Sequence, residues 1–325
     1  MKMYAKEVSE NIAQSFWEKT ENASIFTNPS FVKRITANVR YFLAFKGEEE
    51  ICLWVVPLDE NGDPRTLEFS YFNGPFFKID INKLPPYKAY TLTLQAYSEL
   101  IKLISIEFAT IQFSLLPENS DIRAFQWWNY HEDASPRFDV SVRYSARVEN
   151  LQQLSETDII SLFRSDDKRK KIRKLLREDT FQFTETASAD FNEIISLYGQ
   201  TLERTGGDFS SATEVQLEEI LELITEQRCG HVIALNCLNT KRLIGFQLLL
   251  NSKNVVYAVA QSVSPNHRNS NLGVYMIYRS LLISKENGFS VFDFNGANSP
   301  KRADDKHAFG AKITPYFELL LNQEF

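Results

Sequence analysis

The chain has 325 residues, a formal net charge of -6 and a pI near 5.5. This length exceeds the usual size of one compact domain, so two domains are expected, each with its own core. The acidic balance argues against a general nucleic-acid-binding protein, although a local basic patch can still bind nucleic acid.

The chain shows no segment typical of export or membrane insertion. Its first residues, MKMYAKEVSE, lack the apolar core of a signal peptide, and its longest apolar runs, such as residues 248–250, have the length of a strand. A cytoplasmic protein without a membrane span is therefore expected. Cys52, Cys229 and Cys237 are odd in number and lack the spacing of metal ligands, which predicts buried, reduced thiols.

The first half reads as two helices followed by a strand meander, a helix and a strand. Apolar residues at helical spacing, alternating runs and turn residues give these predictions. The predicted elements are a helix over residues 12–19, a short helix after Asn28, strands over 41–45, 51–58 and 67–72, a helix over 90–104, and a strand over 110–115.

The second half repeats the order strand, strand, strand, helix, strand. The predicted elements are strands over residues 231–238, 243–250 and 255–263, a helix over 272–284, and a strand over 289–294. Equal element order at similar spacing indicates a duplicated α/β unit.

Between the halves, a polar connection over residues 132–147 leads into a helical region over residues 155–177. This region carries the one dense basic run of the sequence: Arg164, Lys168, Arg169, Lys170, Lys171, Arg173, Lys174 and Arg177. Such a run is either a solvated helix face, the commoner use of charge, or a contact for phosphate or RNA. Two further helices follow, one ending near Arg204 and one over residues 215–224.

The stretch from residue 289 to residue 321 is unusual in its order of elements. An apolar strand contains one charge, Asp293, and ends in a turn rich in asparagine, glycine and proline. Polar side chains at the end of a buried strand are where sites are often built.

The C-terminal half carries a recognisable series of motifs. They are Tyr198 to Gly207 with its Arg-Gly pair, Phe292-Asp293-Phe294-Asn295-Gly296, Ser299-Pro300, Lys306, Phe309-Gly310 and Pro315-Tyr316. In this order they resemble the Fem-type aminoacyltransferases and related acyltransferases of the GNAT superfamily. The resemblance covers residues 138–325, and the first half matches more loosely through Phe31, the 41–58 hairpin and residues 73–77.

The resemblance implies an α/β (α+β) fold of two tandem GNAT-like domains, each a mixed, mainly antiparallel sheet flanked by helices. The expected division is residues 1–137, a degenerate GNAT-like domain, and residues 138–325, the acyltransferase domain. It further implies an N-acyltransferase that moves an acyl or aminoacyl group to an amine of a sugar, peptide or cell-envelope precursor. Such a direct attack needs positioning and no covalent nucleophile, and the sequence contains no Gly-x-Ser-x-Gly motif.

The chain departs from both donor types of the superfamily. Residues 268–273 resemble the loop that holds the pyrophosphate of acyl-CoA, but Asn271 replaces its first glycine. Long helical arms, frequent in Fem-type enzymes that use aminoacyl-tRNA, find no room here, so a tRNA would depend on the patch from Lys168 to Lys174. Acyl-CoA and aminoacyl-tRNA both remain possible co-substrates, and no bound cofactor or metal is expected.

The resemblance also suggests site residues, each with a structural alternative. As catalytic groups it suggests Asp293, which could instead cap the following turn, and Lys306, which could instead be a surface lysine. The donor would contact Tyr257, Gln261, Arg268, Asn271 and Gly273, and the acceptor Arg204, Asn295, Asn298 and Ser299. Tyr257 and Gln261 are expected on the same side of their strand by the period of two. Phe309 and Tyr316 are expected in the core.

Two other functions stay open. The altered loop at Asn271 favours a binding or scaffold protein that keeps the GNAT-like pair without catalysis. The basic run over residues 164–177 would suit an RNA-binding module, against which the overall acidity argues.

Overall fold

A computed structural model describes residues 2–36, 38–59, 61–64, 66–133, 135–177, 181–185 and 190–323, without the side chains of residues 183–185, 268–270 and 301–304. The chain divides into two compact units, Met1–Arg143 with Pro315–Phe325, and Tyr144–Thr314. The sequence division after residue 137 lies six residues from this boundary and assigns the last strand to the second half. That strand belongs to the first unit because its end pairs with a strand that begins at Thr110.

The elements of the first unit follow one another in this order: β1 (Met3–Glu7), α1 (Glu10–Glu18), α2 (Pro29–Ile35), β2 (Val39–Lys46), β3 (Glu49–Pro57), β4 (Phe76–Phe77), α3 (Pro86–Glu107), β5 (Thr110–Ser114) and α4 (Arg123–Gln126). β1, β2, β3 and β4 form an antiparallel sheet in that order. The core of this unit packs aromatic side chains of the hairpin against α3, with Trp54 edge-on to Phe113 at 4.5 Å between ring centroids.

The remaining elements are β6 (Phe138–Val148), α5 (Glu156–Leu162), α6 (Asp166–Leu175), β7 (Phe181–Glu185), α7 (Phe191–Thr205), α8 (Ser211–Gln227), β8 (Gly230–Cys237), β9 (Leu243–Ser252), β10 (Val255–Val263), α9 (Leu272–Glu286), β11 (Val291–Asp293), α10 (Pro300–Ala308) and β12 (Lys312–Asn322). β6 and β12 contribute residues to both units.

The second unit is built on a mixed sheet. The end of β6 pairs antiparallel with β11, β11 pairs parallel with β10, and β10, β9, β8 and β7 follow as antiparallel neighbours. Its core joins one face of this sheet to α5, α6 and α9, through residues such as Leu249, Ile172 and Met276. Sheets flanked by helices confirm the expected α/β class, although the four-stranded sheet of the first unit is antiparallel throughout and the mixed sheet is that of the second unit.

Local sequence signals explain several helix ends. Asn28 caps α2 by accepting hydrogen bonds from the first backbone amides, and Pro29 occupies the first turn. Ser155 and Asp158 form a reciprocal capping box on α5. Gly206 ends α7 in the left-handed conformation, at φ 77°.

Most of the predicted elements are confirmed, and several segments differ. Residues 67–72 are wrong as a strand, because their turn and loop bury Leu67, Phe69 and Phe72 without pairing. The polar connection over residues 132–147 is wrong beyond residue 137, since β6 begins at Phe138. The elements β1, β4, α4, β7 and α10 were not predicted, and the region 155–177 is two helices separated by a short loop.

Phe309 and Tyr316 are buried, as expected for core residues. Of the three cysteines, none of which forms a disulfide, Cys52 is buried while Cys229 and Cys237 are half-buried. The expectation of buried thiols is therefore confirmed for Cys52 alone.

Candidate functional site

The strands β10 and β11 separate in the second unit. They pair over three positions only, from Val255 with Val291 to Tyr257 with Asp293, and β11 then ends while β10 continues to Val263. Just past the last pair, the Asn295 side-chain amide donates to the Ala258 carbonyl over 2.9 Å. Beyond this bridge, the edge of β10 is no longer paired with β11.

A β-bulge at Val259 changes which way the side chains of β10 face. Tyr257 pairs with Leu250 of β9, whereas Gln261 pairs with Gln247. Those partners are three residues apart in β9, so they lie on opposite faces, and paired residues share a face. Tyr257 and Gln261 therefore lie on opposite sides of the sheet, and the expectation that they share one side is wrong.

Gln261 lies on the face that packs against α9. Its side-chain amide donates to the Gly273 carbonyl in the first turn of α9, over 3.0 Å. Tyr257 is buried on the other face. The predicted donor-binding residues thus fall into two separate environments.

A pocket of about 240 Å³ lies beside the far end of β10. It is lined by Thr201, Arg204, Gln261, Ser262, Val263 and Gly273. Thr201 and Arg204 lie one turn apart near the end of α7, and Gly273 lies in the first turn of α9. The fold thus brings together three residues that the sequence had suggested separately, namely Arg204, Gln261 and Gly273.

The lining of this pocket suits an anionic group. Arg204 is exposed and supplies the positive charge. The Ser262 hydroxyl is buried and has no hydrogen-bond partner among the described residues. The first turn of α9 adds backbone N–H groups and the positive end of the helix dipole.

Asn271 stands where the resembled loop has its first glycine, and its backbone adopts the left-handed conformation that glycine favours. Asn271 occupies the N-cap position of α9 at φ 62° and ψ 19°, a left-handed conformation that glycine adopts freely and asparagine tolerates. The backbone preceding it forms a 3-10 helix over Pro265–Ser270. The side chain of Arg268 lies outside the described part of the structure.

Asp293, at the end of β11, is buried, and its carboxylate accepts hydrogen bonds from neighbouring groups. Its Oδ2 accepts from the Arg147 Nε over 2.6 Å, and its Oδ1 accepts from the Asn295 backbone N–H over 2.8 Å and from the Ser145 hydroxyl. The carboxylate both caps the turn after β11 and forms an ion pair with Arg147. These contacts are those of a positioning group.

Lys306, in the last turn of α10, reaches back to the same turn. Its ammonium group donates to the carbonyls of Phe294, at 3.0 Å, Gly296, at 2.5 Å, and Asn295. An ammonium has three N–H donors, and three carbonyls of one turn accept from them here. Lys306 therefore ties α10 to the exit of β11.

The remaining predicted acceptor residues lie on the turn after β11. Asn295 is buried, adopts the left-handed conformation at φ 53°, and has a side-chain oxygen without a described hydrogen-bond partner. Asn298 is exposed, and its side-chain oxygen accepts from the Tyr144 backbone N–H over 2.7 Å. Ser299 is exposed. No described contact joins these residues to Arg204.

Ser145 and Arg147 were not identified from the sequence. They lie on β6, within the region taken as a polar connection, and point to the face opposite the one that buries Ala146 and Val148 in the core. The alternation from Phe138 to Val148 could have revealed the strand. Nothing in the sequence distinguishes Arg147 as the partner of Asp293.

Metal and membrane sites are not evident in the described ranges. Among those residues, no cluster of three or more histidine, cysteine or acidic side chains is arranged to hold a metal ion. No helix in them combines the length and the apolar character needed to cross a bilayer.

Comparisons with known proteins agree with this geometry. The model of the acetyltransferase (GNAT) domain family matches residues 163–305. No curated protein matches the sequence significantly.

Solved structures share the fold over nearly the whole chain. The crystal structure of FemX covers 98% of this chain and 98% of its own, at 12% identity and a TM-score of 0.68. L-PGS from Bacillus licheniformis covers 98% and 94%, at 12% identity and a TM-score of 0.55.

A tandem GNAT protein from the clavulanic acid biosynthesis pathway covers 100% of this chain and 99% of its own, at 11% identity and a TM-score of 0.54. Identities this low show the fold and not the substrate. The chain therefore shares the fold of these proteins, and its residues 163–305 match the model of the GNAT acetyltransferase domain.

Proposed function

We propose that the protein is an N-acyltransferase that transfers an acyl or aminoacyl group to an amine of a sugar, peptide or cell-envelope precursor. The observation that carries the proposal is the separation of β10 from β11 beside a pocket that combines Arg204 with the first turn of α9. An exposed strand edge offers backbone groups to an extended substrate, and the pocket offers a place for its anionic part.

The reaction needs no covalent enzyme intermediate. The amine nitrogen attacks the carbonyl carbon of the donor, a C–N bond forms, and the C–S bond of a thioester or the C–O bond of an ester breaks. The proton lost by the amine goes to solvent or a base, and the leaving thiolate or alkoxide takes up a proton. Orientation of amine and carbonyl supplies much of the acceleration in such a reaction.

Within this proposal, the pocket residues bind and orient substrate. Arg204 forms the ion pair with a phosphate or carboxylate, while Ser262 and Thr201 offer hydroxyl groups within the same lining. Gln261 orients the first turn of α9 through its hydrogen bond to Gly273. Arg268 and Asn271 stay predicted donor contacts, and Asn298 and Ser299 stay predicted acceptor contacts.

The catalytic roles of Asp293 and Lys306 also stay predictions. Their contacts support positioning, because Asp293 is ion-paired with Arg147 and Lys306 is bound to three carbonyls of the turn. Together they fix the backbone around Asn295, whose side chain bridges to β10. The shape of the opening between β10 and β11 would then depend on both.

The alternative is a GNAT-like binding or scaffold protein without catalysis. The observation that favours it is the same engagement of Asp293 and Lys306 in contacts within the protein. It differs from the enzyme in a measurable way, since a scaffold consumes no donor.

The experiment incubates the purified chain with a panel of acyl-CoAs and, separately, of charged tRNAs, each with candidate amines, and follows donor loss and product mass by mass spectrometry. Consumption of a donor together with an acylated amine supports the enzyme. No consumption and no thermal shift with any donor would favour the scaffold.

The site assignment is tested with Arg204→Gln and the control Arg242→Gln. Both remove one exposed arginine charge, but Arg242 lies between β8 and β9, away from the pocket lining. Loss of a charged hydrogen bond costs about 1.5–3 kcal/mol, so Arg204→Gln should raise the KM of the anionic substrate by roughly tenfold or more. An equal effect of both variants would remove Arg204 from the site.

A further inference from the structure

A cavity of about 380 Å³ opens on the surface of the first unit, between the start of α3 and the sheet. Every residue that lines it belongs to Met1–Arg143, and none belongs to residues 163–305, which match the GNAT acetyltransferase model. Its volume falls within the range of pockets that hold small molecules, about 300–1,000 Å³. The proposed function gives this cavity no role.

One wall of the cavity is the first half of α3. Tyr87, Thr91 and Gln95 follow one another at intervals of four residues, and Lys88 and Leu92 form a second such row beside them. Residues four apart are neighbours on the surface of a helix. All five side chains therefore line the cavity from one side of α3.

The opposite wall is the edge of the sheet. Glu50 and Ile51 lie near the start of β3, and Lys78 and Ile79 follow β4. The Lys78 backbone N–H donates to the Ile51 carbonyl over 3.0 Å, and the Lys78 ammonium forms an ion pair with Glu50 at 2.7 Å. These contacts hold the wall in place without a ligand, which lowers the ordering cost of binding.

Apolar side chains cover much of the interior of the cavity. Ile51 is buried, Leu84 and Leu92 are half-buried, and Ile79 and Tyr87 are 47% and 68% exposed. Single exposed apolar side chains are ordinary on a protein surface, but here two large ones border the same cavity. A ligand with an apolar body would cover them and gain the free energy of their burial.

The charges around the cavity leave one cation in excess. The lining contains three lysines and two glutamates, namely Lys46, Lys78, Lys88, Glu49 and Glu50. Lys78 is paired with Glu50, and Lys46 is the register partner of Glu49 across the turn from β2 to β3. Among the described residues, no ion pair involves Lys88, whose ammonium lies 5.9 Å from the centre of the Tyr87 ring. An excess of one positive charge suits a ligand with one negative charge.

We propose that this cavity binds a small monocarboxylate with an apolar body, of the size of a medium-chain fatty acid. Its carboxylate lies at Lys88, and its chain lies against Ile79, Leu84 and Leu92. A neutral molecule of the same shape would gain the burial but not the ion pair, and a cation would be repelled. The inference goes beyond the proposed function, because the pocket beside Arg204 lies in the second unit.

The test titrates the full chain with sodium octanoate and follows the isoleucine methyl groups by NMR. A ligand of about ten non-hydrogen atoms should bind with a Kd in the range of about 1–10 mM. The methyl signals of Ile51 and Ile79 should shift, whereas that of Ile106, an exposed isoleucine of α3 outside the lining, should not. Octanamide, which has the same chain length without the charge, should bind about fivefold more weakly, the effect of one exposed ion pair.

Two lysine variants of α3 test the contact with the carboxylate. Lys88→Gln should raise the Kd of octanoate by about fivefold and remove most of the difference between octanoate and octanamide. Lys102→Gln, which removes an exposed lysine of the same helix away from the lining, should leave both values unchanged. Circular dichroism checks that both variants are folded.

Two isoleucine variants test the contact with the chain. Ile79→Ser should weaken the binding of octanoate and octanamide alike, by about threefold or more, because both ligands lose the same apolar contact. Ile106→Ser removes an exposed isoleucine that does not line the cavity, and it should weaken neither.

Three outcomes would overturn the proposal: octanoate shifts neither Ile51 nor Ile79, octanamide binds as tightly as octanoate, or the two lysine variants weaken octanoate binding equally. The titration contains no acyl donor and no amine. Its result is therefore independent of acyl transfer, and a chain without transferase activity can still bind octanoate at this site.

Discussion

Arg147 and Asp293 form a buried ion pair across neighbouring strands, with 2.6 Å between the Arg147 Nε and the Asp293 Oδ2 and side chains that are 5% and 0% exposed. The two residues are 146 positions apart in sequence, and the antiparallel pairing of β6 with β11 places them side by side. The pair fixes the end of β11 where it separates from β10.

We expect Arg147→Met to be strongly destabilising, because it leaves the Asp293 carboxylate buried without its cation. Breaking a buried pair from one side costs about 3–5 kcal/mol. Lys171→Met, which removes an exposed ion pair of the same unit, should cost about 1 kcal/mol or less. Urea unfolding of both variants measures the difference, and similar midpoints would show that the buried pair contributes little.

Lys306→Met should loosen the turn after β11. The variant loses charged hydrogen bonds to the carbonyls of Phe294 and Gly296. A hydrogen bond of this kind contributes about 1.5–3 kcal/mol, and both hold the same turn. We expect a lower melting temperature together with reduced turnover, whereas Lys312→Met, an exposed lysine of β12, should change neither. Lost turnover at an unchanged melting temperature would instead assign Lys306 to the chemistry.

Gly230→Ala should destabilise the second unit. A methyl group at this position would lie 2.1 Å from the Leu249 carbonyl oxygen of the paired strand, so the backbone has to shift. Overpacking of this kind costs about 1–3 kcal/mol. Gly296→Ala is the matched control, since nothing lies within 4 Å of its added carbon. Thermal unfolding compares the two, and equal melting temperatures would contradict the close approach of β8 and β9.

The conformation of Asn271 predicts a graded response to substitution. Asn271→Gly should leave the free energy of unfolding within about 0.5 kcal/mol, because glycine adopts the left-handed backbone freely. Asn271→Val should lose about 1–2 kcal/mol, the cost of that backbone for a branched residue. Denaturation measures both, and a harmless valine would show that α9 does not begin with a left-handed residue.

The three thiols should differ in reactivity. A hydrogen bond from the Thr240 side chain lowers the pKa of Cys237, whereas burial raises the pKa of Cys52 and raises that of Cys229 to about 11. A lower pKa gives more thiolate at a given pH, so Cys237 should be alkylated first as the pH rises from 7 to about 9. Peptide mapping after iodoacetamide treatment identifies the labelled residue, and earlier labelling of Cys229 would contradict this order.

The fold was largely predictable because its signals are local. Strands β8, β9, β10 and β11 and helix α9 follow directly from hydrophobic periodicity, and the motifs around Asp293 carry the resemblance to GNAT-type acyltransferases. Residues 67–72 were wrongly predicted as a strand because apolar side chains at strand-like spacing can also be buried by a loop. β6 was missed although apolar and polar residues alternate over residues 138–148, because its many polar side chains were taken as a connection between the halves.

The sequence predicted several residues of the site but not how the fold brings them together. Arg204, Gln261 and Gly273 belong to different elements, and only the packing of α7 and α9 beside β10 brings them to one pocket. Asp293 contacts Arg147, which lies 146 residues away along the chain, and Lys306 contacts Phe294, which lies 12 residues away. Long-range pairing of that kind leaves no mark in a single sequence.

The extra residue at Val259 has a consequence for how substitutions in β10 will be tolerated. Before it, tolerance should alternate along the strand in one phase, and after it in the opposite phase, so that a scan of all positions shows the pattern invert once. A related chain that lacks this one residue would keep the same assignment of faces beyond a gap placed at Val259, whereas an alignment without that gap would compare side chains from opposite sides of the sheet.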